Sequence, residues 1–369
     1  MSKSDAQLSG WRALVKRLRR RGRKRLNQLL CRLTGTPRAK PNKLVGSTRR
    51  ILVVRPNKRL GNTLFLTPML HALHAGLPQA TLDVLIRDPR QVPLLDNLPG
   101  IGRIHVQPRS LRALLALVFE LRRQRYDLAI DPTGTSTSNR VALLLSGARQ
   151  RLGFAGADQW LRLTHAAPPP RSRHQAEQAV ELLVDGIEGI AFGQWPHLAI
   201  HPHASACREA EQRLLEALGR DDGGPVVGFF TRATGAKQLA LDWWQAWLAA
   251  VQVQVPAARF LQVHPPGVPA PLQPDLPGVQ IAALDVLAAL LARLDVFVAA
   301  DSGPMHLAAA AGVPTIGLFK DTAPEAYAPL GPRCCFVRKG ELTPEFTAQV
   351  VASRLALMQA NCDSEAAAP

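Results

Sequence analysis

The sequence predicts an α/β protein built of two doubly wound domains facing each other across a cleft. Three observations carry that expectation. Short apolar runs of strand length alternate with helical periods, first from residue 50 and again from residue 226. Strand, helix and strand at such spacing make a parallel βαβ unit. The runs are apolar almost throughout, as strands covered on both faces are. With 369 residues, the chain is long enough for two such domains.

The first unit opens with the strand Arg50-Ile-Leu-Val-Val54 and the loop Arg55-Pro-Asn-Lys-Arg-Leu-Gly-Asn62. A helix over about 63–75 and a strand over 81–86 follow. Another helix near 111–125 leads to a strand at 128–130, which ends in Asp131-Pro-Thr-Gly134. Further helices are expected at 136–146 and 174–185. After a Gly/Pro-rich loop at 221–225 the pattern restarts with a strand at 226–230 and the polar loop Thr231–Gln238. The second unit continues with a helix carrying Trp243, Trp244 and Trp247, a strand at 258–264 and a Pro-rich stretch to 277. A helix at 284–293, a strand at 294–300, a helix at 304–311 and a strand at 314–319 complete it. The expected division is an extension and linker over 1–49, a first domain over 50–220, a second over 221–350 and a C-terminal helix and tail over 351–369.

The net charge of +17 is unevenly placed. Residues 1–50 hold 16 Lys and Arg against the single acid Asp5, and the remaining chain carries only +2. A nearly neutral body argues against a nucleic-acid-binding domain. Within 11–33, Trp11, Leu14, Val15, Leu18, Leu26, Leu29, Leu30 and Leu33 recur at helical spacing, with Arg and Lys around them. A basic amphipathic helix of this kind lies in the interface of an anionic membrane. A solvated basic tail, a helix docked on the body and an RNA-binding arm are the other readings of the same pattern. No apolar run reaches the length of about 18 residues that a spanning helix needs, and the N-terminus lacks the pattern of a signal peptide. The five cysteines are odd in number and form no CxxC pair. They fit a reduced cytosolic setting, and no His/Cys cluster has zinc spacing.

Four polar loops follow predicted strands, where ligands of open α/β sheets bind. The loop 55–62 brings Arg55, Lys58 and Arg59 close to Gly61 and Asn62 before a helix, which suits anionic groups. The turn Asp131–Gly134 is read equally well as a capped turn. In the third loop, Lys237 can neutralise a phosphate with Thr231 and Thr234 beside it, although Walker-A spacing is absent. The fourth, Asp301-Ser-Gly-Pro-Met-His306, joins a strand to a helix whose first turn holds Pro304, where a missing N–H costs nothing. The free N–H groups of that helix start favour a phosphate. Spacing alone leaves each loop open to a plain reading, as a basic surface loop or an ordinary βα turn.

The residues together resemble the ADP-heptose:lipopolysaccharide heptosyltransferases, glycosyltransferase family 9. The likeness runs through Ile51-Leu-Val-Val-Arg-Pro, Arg59-Leu-Gly-Asn62, Thr67-Pro-Met-Leu, Tyr126-Asp-Leu-Ala-Ile-Asp-Pro-Thr-Gly134 and Arg151-Leu-Gly-Phe154. It is densest at Asp301-Ser-Gly-Pro-Met-His-Leu-Ala-Ala and Gly312-Val-Pro-Thr, and continues through Asp321-Thr-Ala-Pro and Pro329-Leu-Gly331. The resemblance implies a GT-B fold and inverting transfer from a nucleotide sugar without a bound metal or cofactor. It implies ADP-heptose, or another nucleotide sugar, on the second domain. A lipid-linked saccharide of the lipopolysaccharide core would lie on the first, near Arg55, Lys58, Arg59 and Asp131. Asp301, Ser302 and Gly303 match the family's pyrophosphate turn, Lys237 its phosphate-neutralising lysine, and His306 the histidine of the same motif. The implied location is the cytoplasmic face of the inner membrane, with residues 11–33 on its surface.

One position departs from the family. Many members carry Asp where this chain has Asn62, and that Asp is taken as the base that deprotonates the acceptor. An amide cannot accept that proton at neutral pH. Another group such as Asp131 or a histidine can serve instead, a leaving-group oxygen can take the proton while Asn62 orients the hydroxyl, or the chain binds without catalysing. Arg232 and Ala233 also replace small hydroxyl residues in the loop before Lys237, which bears on the choice of donor.

Overall fold

The computed structural model describes residues 48–366 except 135, 157–162, 193, 220–222, 266, 268–271 and 274, together with Gly22, Lys43 and Leu44. The amphipathic segment expected over 11–33, Gly22 apart, lies outside the described residues. No helix among the described residues is long and apolar enough to cross a membrane.

The first unit contains β1 (Arg50–Val54), α1 (Leu60–Leu64), α2 (Thr67–Gly76), β2 (Thr81–Ile86), β3 (Ile101–Val106) and α3 (Leu111–Arg123). It continues with β4 (Leu128–Ile130), α4 (Thr137–Leu145), β5 (Gln150–Phe154), β6 (His165–Ala167) and α5 (Gln175–Gly186). After α6 (Ala204–Leu218) the second unit runs through β7 (Val226–Phe230), α7 (Leu241–Gln254), β8 (Arg259–His264), β9 (Gly278–Gln280), α8 (Leu284–Leu291) and β10 (Val296–Ala300). It ends with α9 (Gly303–Ala310), β11 (Thr315–Phe319), α10 (Pro324–Tyr327), β12 (Cys335–Arg338) and α11 (Pro344–Ala366).

Both sheets are parallel and six-stranded, in the orders β3-β2-β1-β4-β5-β6 and β12-β11-β10-β7-β8-β9. Counted within its own unit, each sheet has the doubly wound order 3-2-1-4-5-6, with its switch point between the first and fourth strands. The central strands are sealed: Ile51 to Val54 of β1 and all of β10 are buried. Five strands were not expected from the sequence, namely β3, β5, β6, β9 and β12. They lie outside the two central strands of each sheet, and most are short or carry polar side chains such as Arg103, Arg151, His165 and Gln280, so their apolar runs are broken.

The helix expected over 63–75 is two helices. Pro68 has no N–H for the carbonyl of Leu64, and the Thr67 hydroxyl donates to that carbonyl instead, at 2.9 Å. The chain turns at Phe65 and Leu66, and Phe65 is left facing the second domain. The expected linker is also partly structured, because Leu44 is buried and its N–H donates to Gly186 O at 2.9 Å.

Two expected boundaries move. Helix α6 precedes residue 220, yet its Ala206 and Ala210 lie in one apolar cluster with Leu287 and Leu291 of α8. The chain therefore crosses between domains near 197–203. There Asn97 Nδ2 donates to His201 O at 2.8 Å, and the Ile200 N–H donates to Ala310 O at 3.0 Å. The boundary expected at 351 falls inside the continuous helix α11. The cluster beneath α6, α8 and α9 also continues into the first domain through Leu64, Phe65, Leu94 and Ala176. Phe65 packs edge-on against His306 at 4.6 Å between ring centroids and against His174 at 5.5 Å, and it stacks on Tyr327 at 6.4 Å. Truncating this ring removes apolar contact on both sides of the domain boundary. Phe65→Ala is expected to cost about 3–5 kcal/mol of stability, measured by urea unfolding; a cost below about 1 kcal/mol would show that the two domains do not rely on it.

Candidate active site

The four loops singled out from the sequence follow β1, β4, β7 and β10. These are the strands at the two switch points, so both crevices come from the same topological rule.

The crevice of the second domain is the more completely built. Asp301 ends β10 and is buried. Lys237 Nζ donates to its Oδ2 at 3.0 Å, the Thr322 hydroxyl donates to the same oxygen at 2.8 Å, and His306 Nε2 lies 3.7 Å from Oδ1. Burial alone pushes this carboxyl up, but His306, Thr322 and Lys237 outweigh it and hold it down at about 2. Asp301 is therefore an anion at neutral pH that fixes a lysine and a histidine. Ser302 occupies the N-cap of α9 in an extended conformation without capping the helix through its side chain. Its hydroxyl is buried without a hydrogen-bond partner, so it stands ready beside the free N–H groups of the first turn.

Lys237 owes its position to an amide network. It closes the 3-10 turn Gly235–Lys237. Gln238 then donates to the carbonyl of Thr231 at 2.7 Å and accepts from the Ala233 N–H at 2.7 Å, clasping the loop. The Gln238 carbonyl in turn accepts from Lys320 Nζ at 3.1 Å. Thr231 is buried and its hydroxyl accepts from Gln262 at 3.3 Å, while Thr234 is exposed. The Lys237–Asp301–His306 grouping expected from the sequence is thus assembled, whereas the two threonines are not part of its bonded network. Thr322, Gln238 and Gln262 were missed as site residues. Only Thr322 carried a signal, inside Asp321-Thr-Ala-Pro.

The first domain meets this crevice through α1. An added Cβ on Gly61 would stand 2.7 Å from Cδ2 of His306, and one on Gly303 would stand 3.2 Å from Leu60 Cβ. Two glycines, one from each domain, therefore permit the helices to touch. Asn62 follows Gly61 directly and is half-buried. Thr63 Oγ1 donates to Gln91 Oε1 at 2.6 Å, and Gln91 Nε2 donates to Lys58 O at 3.1 Å, which anchors the loop that carries Asn62.

The residues expected on the acceptor side divide sharply. Lys58 and Arg59 are exposed. Arg55 is buried at the end of β1, with Nε lacking a hydrogen-bond partner. Burial lowers its affinity for a proton, opposed chiefly by the charge of Asp131. Asp131 has no exposed surface. Its Oδ1 accepts from the Thr133 N–H, the Thr133 hydroxyl and Asn139 Nδ2, and Arg140 Nε lies 2.9 Å from Oδ2 as an ion contact. The expectation that Asp131 meets the acceptor, or replaces the missing base, is corrected: the carboxylate is fully buried, with Oδ1 holding its own loop and Oδ2 in ion contact with Arg140. Among the described residues no group of three or more His, Cys, Asp or Glu side chains is placed to hold a metal ion.

Two buried histidines stand at the domain boundary. His174 caps α5, its Nδ1 accepting from the Ala176 N–H at 3.3 Å. Its Nε2–H then donates across the boundary to Ala328 O at 3.0 Å. Burial lowers the pKa of both His174 and His306. A histidine held below its unfolded value contributes stability above that value and loses it as pH falls. Melting temperature is therefore expected to drop between about pH 7 and pH 5, where unfolded histidine takes up its proton. His174→Gln with His306→Gln should flatten that slope in differential scanning calorimetry, and an unchanged slope would place the titrating groups elsewhere.

Residues 279–355 match the sequence pattern of glycosyltransferase family 9 (heptosyltransferase). No curated protein matches the chain by sequence. Among solved structures, a glycosyl transferase family 9 protein from Veillonella parvula superposes with a TM-score of 0.71 at 16% identity, covering 86% of this chain and 99% of that one. E. coli ADP-heptose lps heptosyltransferase II gives 0.67 at 19% identity, covering 84% and 99%. E. coli heptosyltransferase WaaC with ADP gives 0.62 at 17%, covering 83% and 99%. At such identities the likeness is one of fold, and it extends over both domains. The match to glycosyltransferase family 9 is confined to residues 279–355 of the second domain, while the GT-B likeness, two parallel six-stranded sheets with their helices, extends over both domains.

Proposed function

We propose that this glycosyltransferase moves a heptose from ADP-heptose to a saccharide of the lipopolysaccharide core, with inversion and without a resident metal, at the cytoplasmic face of the inner membrane. The observation that carries the reading is the Lys237–Asp301 pair at the N-terminus of α9, facing α1 across the domain boundary. A departing nucleoside diphosphate gains negative charge in the transition state. Lys237 has three N–H donors, one of them committed to Asp301, and the others are free to meet phosphate oxygens. The first-turn N–H groups of α9 and the Ser302 hydroxyl add fixed dipoles. Donors held in place beforehand favour the charge of the transition state over that of the ground state. Asp301 itself does not touch the phosphate, since like charges repel; it holds the lysine.

On the acceptor side, Arg55, Lys58 and Arg59 suit an anionic saccharide. In an inverting displacement the incoming hydroxyl attacks opposite the leaving diphosphate, so the diphosphate is too far away to take its proton. With Asp131 sealed, Asn62 acts by orienting the hydroxyl, whose proton passes late to water.

Lys237→Ala removes a charge-assisted contact of about 1.5–3 kcal/mol. ADP binding, measured by calorimetry, is expected to weaken about 10- to 100-fold, and unchanged affinity would remove the donor site from this crevice. Asn62→Asp supplies the absent base, whose usual contribution is about 10²-fold or more. ADP release from ADP-heptose is expected to rise at least about ten-fold, with a carboxylate limb in the pH profile. Loss of turnover would give the amide a role of its own. Absence of ADP release from either chain, with ADP still bound, would leave a binding protein.

A further inference from the structure

The face formed by α3 and α4 of the first domain serves none of the chemistry above. Helix α3 turns Leu117 and Leu121 into the core. A second apolar stripe runs along its outer side: Leu111 is 72% exposed, Leu115 54% and Phe119 70%. Residues four apart share one helix face, so these three form a continuous ridge. A solvated helix carries polar residues there. Val141 and Leu144 of the adjacent α4 are also more than a third exposed. Between the helices runs a groove of about 330 Å³ whose walls include Leu114, Val118, Val141 and Leu145, with Gln107 and Ser138 as its polar side chains.

Charge selects the occupant. Arg109 and Arg112 are exposed at the start of the ridge, and Arg122, Arg123 and Arg125 at its end. The acid of α3, Glu120, lies 3.2 Å from Nδ1 of His105. The ridge is therefore apolar along its length, about 20 Å for thirteen helical residues, and cationic at both ends. Apolar side chains flanked by arginines match the interface of an anionic bilayer, where the chains enter the acyl boundary and each arginine meets lipid headgroups. The groove floor contains Leu85 of β2 and Gln107 just after β3. These two residues lie toward the carboxyl ends of their strands, the end of the sheet at which the Arg55–Asn62 loop leaves β1.

We propose that the α3–α4 face docks on an anionic lipid bilayer, independently of the basic segment 11–33, and so presents the acceptor-side crevice to the membrane surface. The purpose of that orientation rests on the proposed lipid-linked acceptor; the docking itself does not.

The test uses the full chain and the full chain carrying Leu111→Ser, Leu115→Ser and Phe119→Ser, each with and without Leu14→Ser and Leu18→Ser in the N-terminal segment. Partitioning is measured by sedimentation with phosphatidylcholine vesicles, with and without phosphatidylglycerol. The triple substitution is expected to lower partitioning onto phosphatidylglycerol vesicles by at least about ten-fold in both backgrounds, because three inserted apolar side chains are replaced by polar ones. Melting temperature and transfer to a lipid-free acceptor are expected to stay unchanged. Equal partitioning of the triple variant in both backgrounds would overturn the proposal. So would a self-associated chain that the triple substitution disperses without loss of vesicle binding, since a second copy would then be the occupant. Vesicle binding is read without turnover, so absence of transfer activity would count against the proposed function and leave this result standing.

Discussion

The close approach of α1 and α9 is the constraint on which the rest of the molecule depends. Each sheet builds its own crevice, and neither is useful unless the two crevices face each other at bonding distance. A backbone without Cβ at Gly61 lets the His306 ring in, and one at Gly303 lets Leu60 in. Phe65, released toward the second domain by the turn before Pro68, fills the remaining space against His174, His306 and Tyr327. The domain boundary is thus in close apolar contact beside the candidate chemistry, and low dielectric strengthens the ion pairs nearby.

The two domains use equivalent positions in opposite ways. Asp131 and Asp301 each follow the fourth strand of their own sheet. Around Asp131 the partners come from its own loop and the helix after it, where Asn139 and Arg140 are buried. Around Asp301 they come from the loops after β7 and β11 and from α9. The first arrangement stabilises a turn. The second gathers a lysine and a helix N-terminus at one place, with Lys237 still partly open to solvent. A carboxylate whose partners come from several loops organises a site, whereas one satisfied locally has nothing left to offer.

The first domain carries a further asymmetry. Its α2–α5 side covers one well-closed apolar cluster, while the α3–α4 side leaves an apolar ridge outside with arginines at its ends. On the proposed function, a lipid-linked acceptor needs one crevice for its sugar and one surface for its lipid, and this domain has a candidate for each.

The amino-acid sequence by itself determined the two α/β units, their central strands and the four loops at the switch points, because those properties depend on local apolar runs and on turns after strands. Through the family resemblance it also suggested Lys237, Asp301, Ser302 and His306 as one group. Only the tertiary structure decided what those groups touch. That Asp131 is sealed, that Thr231 is bonded to Gln262 and that Thr322 completes the Asp301 shell follow from contacts between residues 8 to 31 positions apart. The outer strands, the passage of α6 to the second domain and the contact of Gly61 with His306 were likewise beyond reach. Each is fixed by packing between segments distant in the chain, and no local pattern encodes which distant surface a residue will meet.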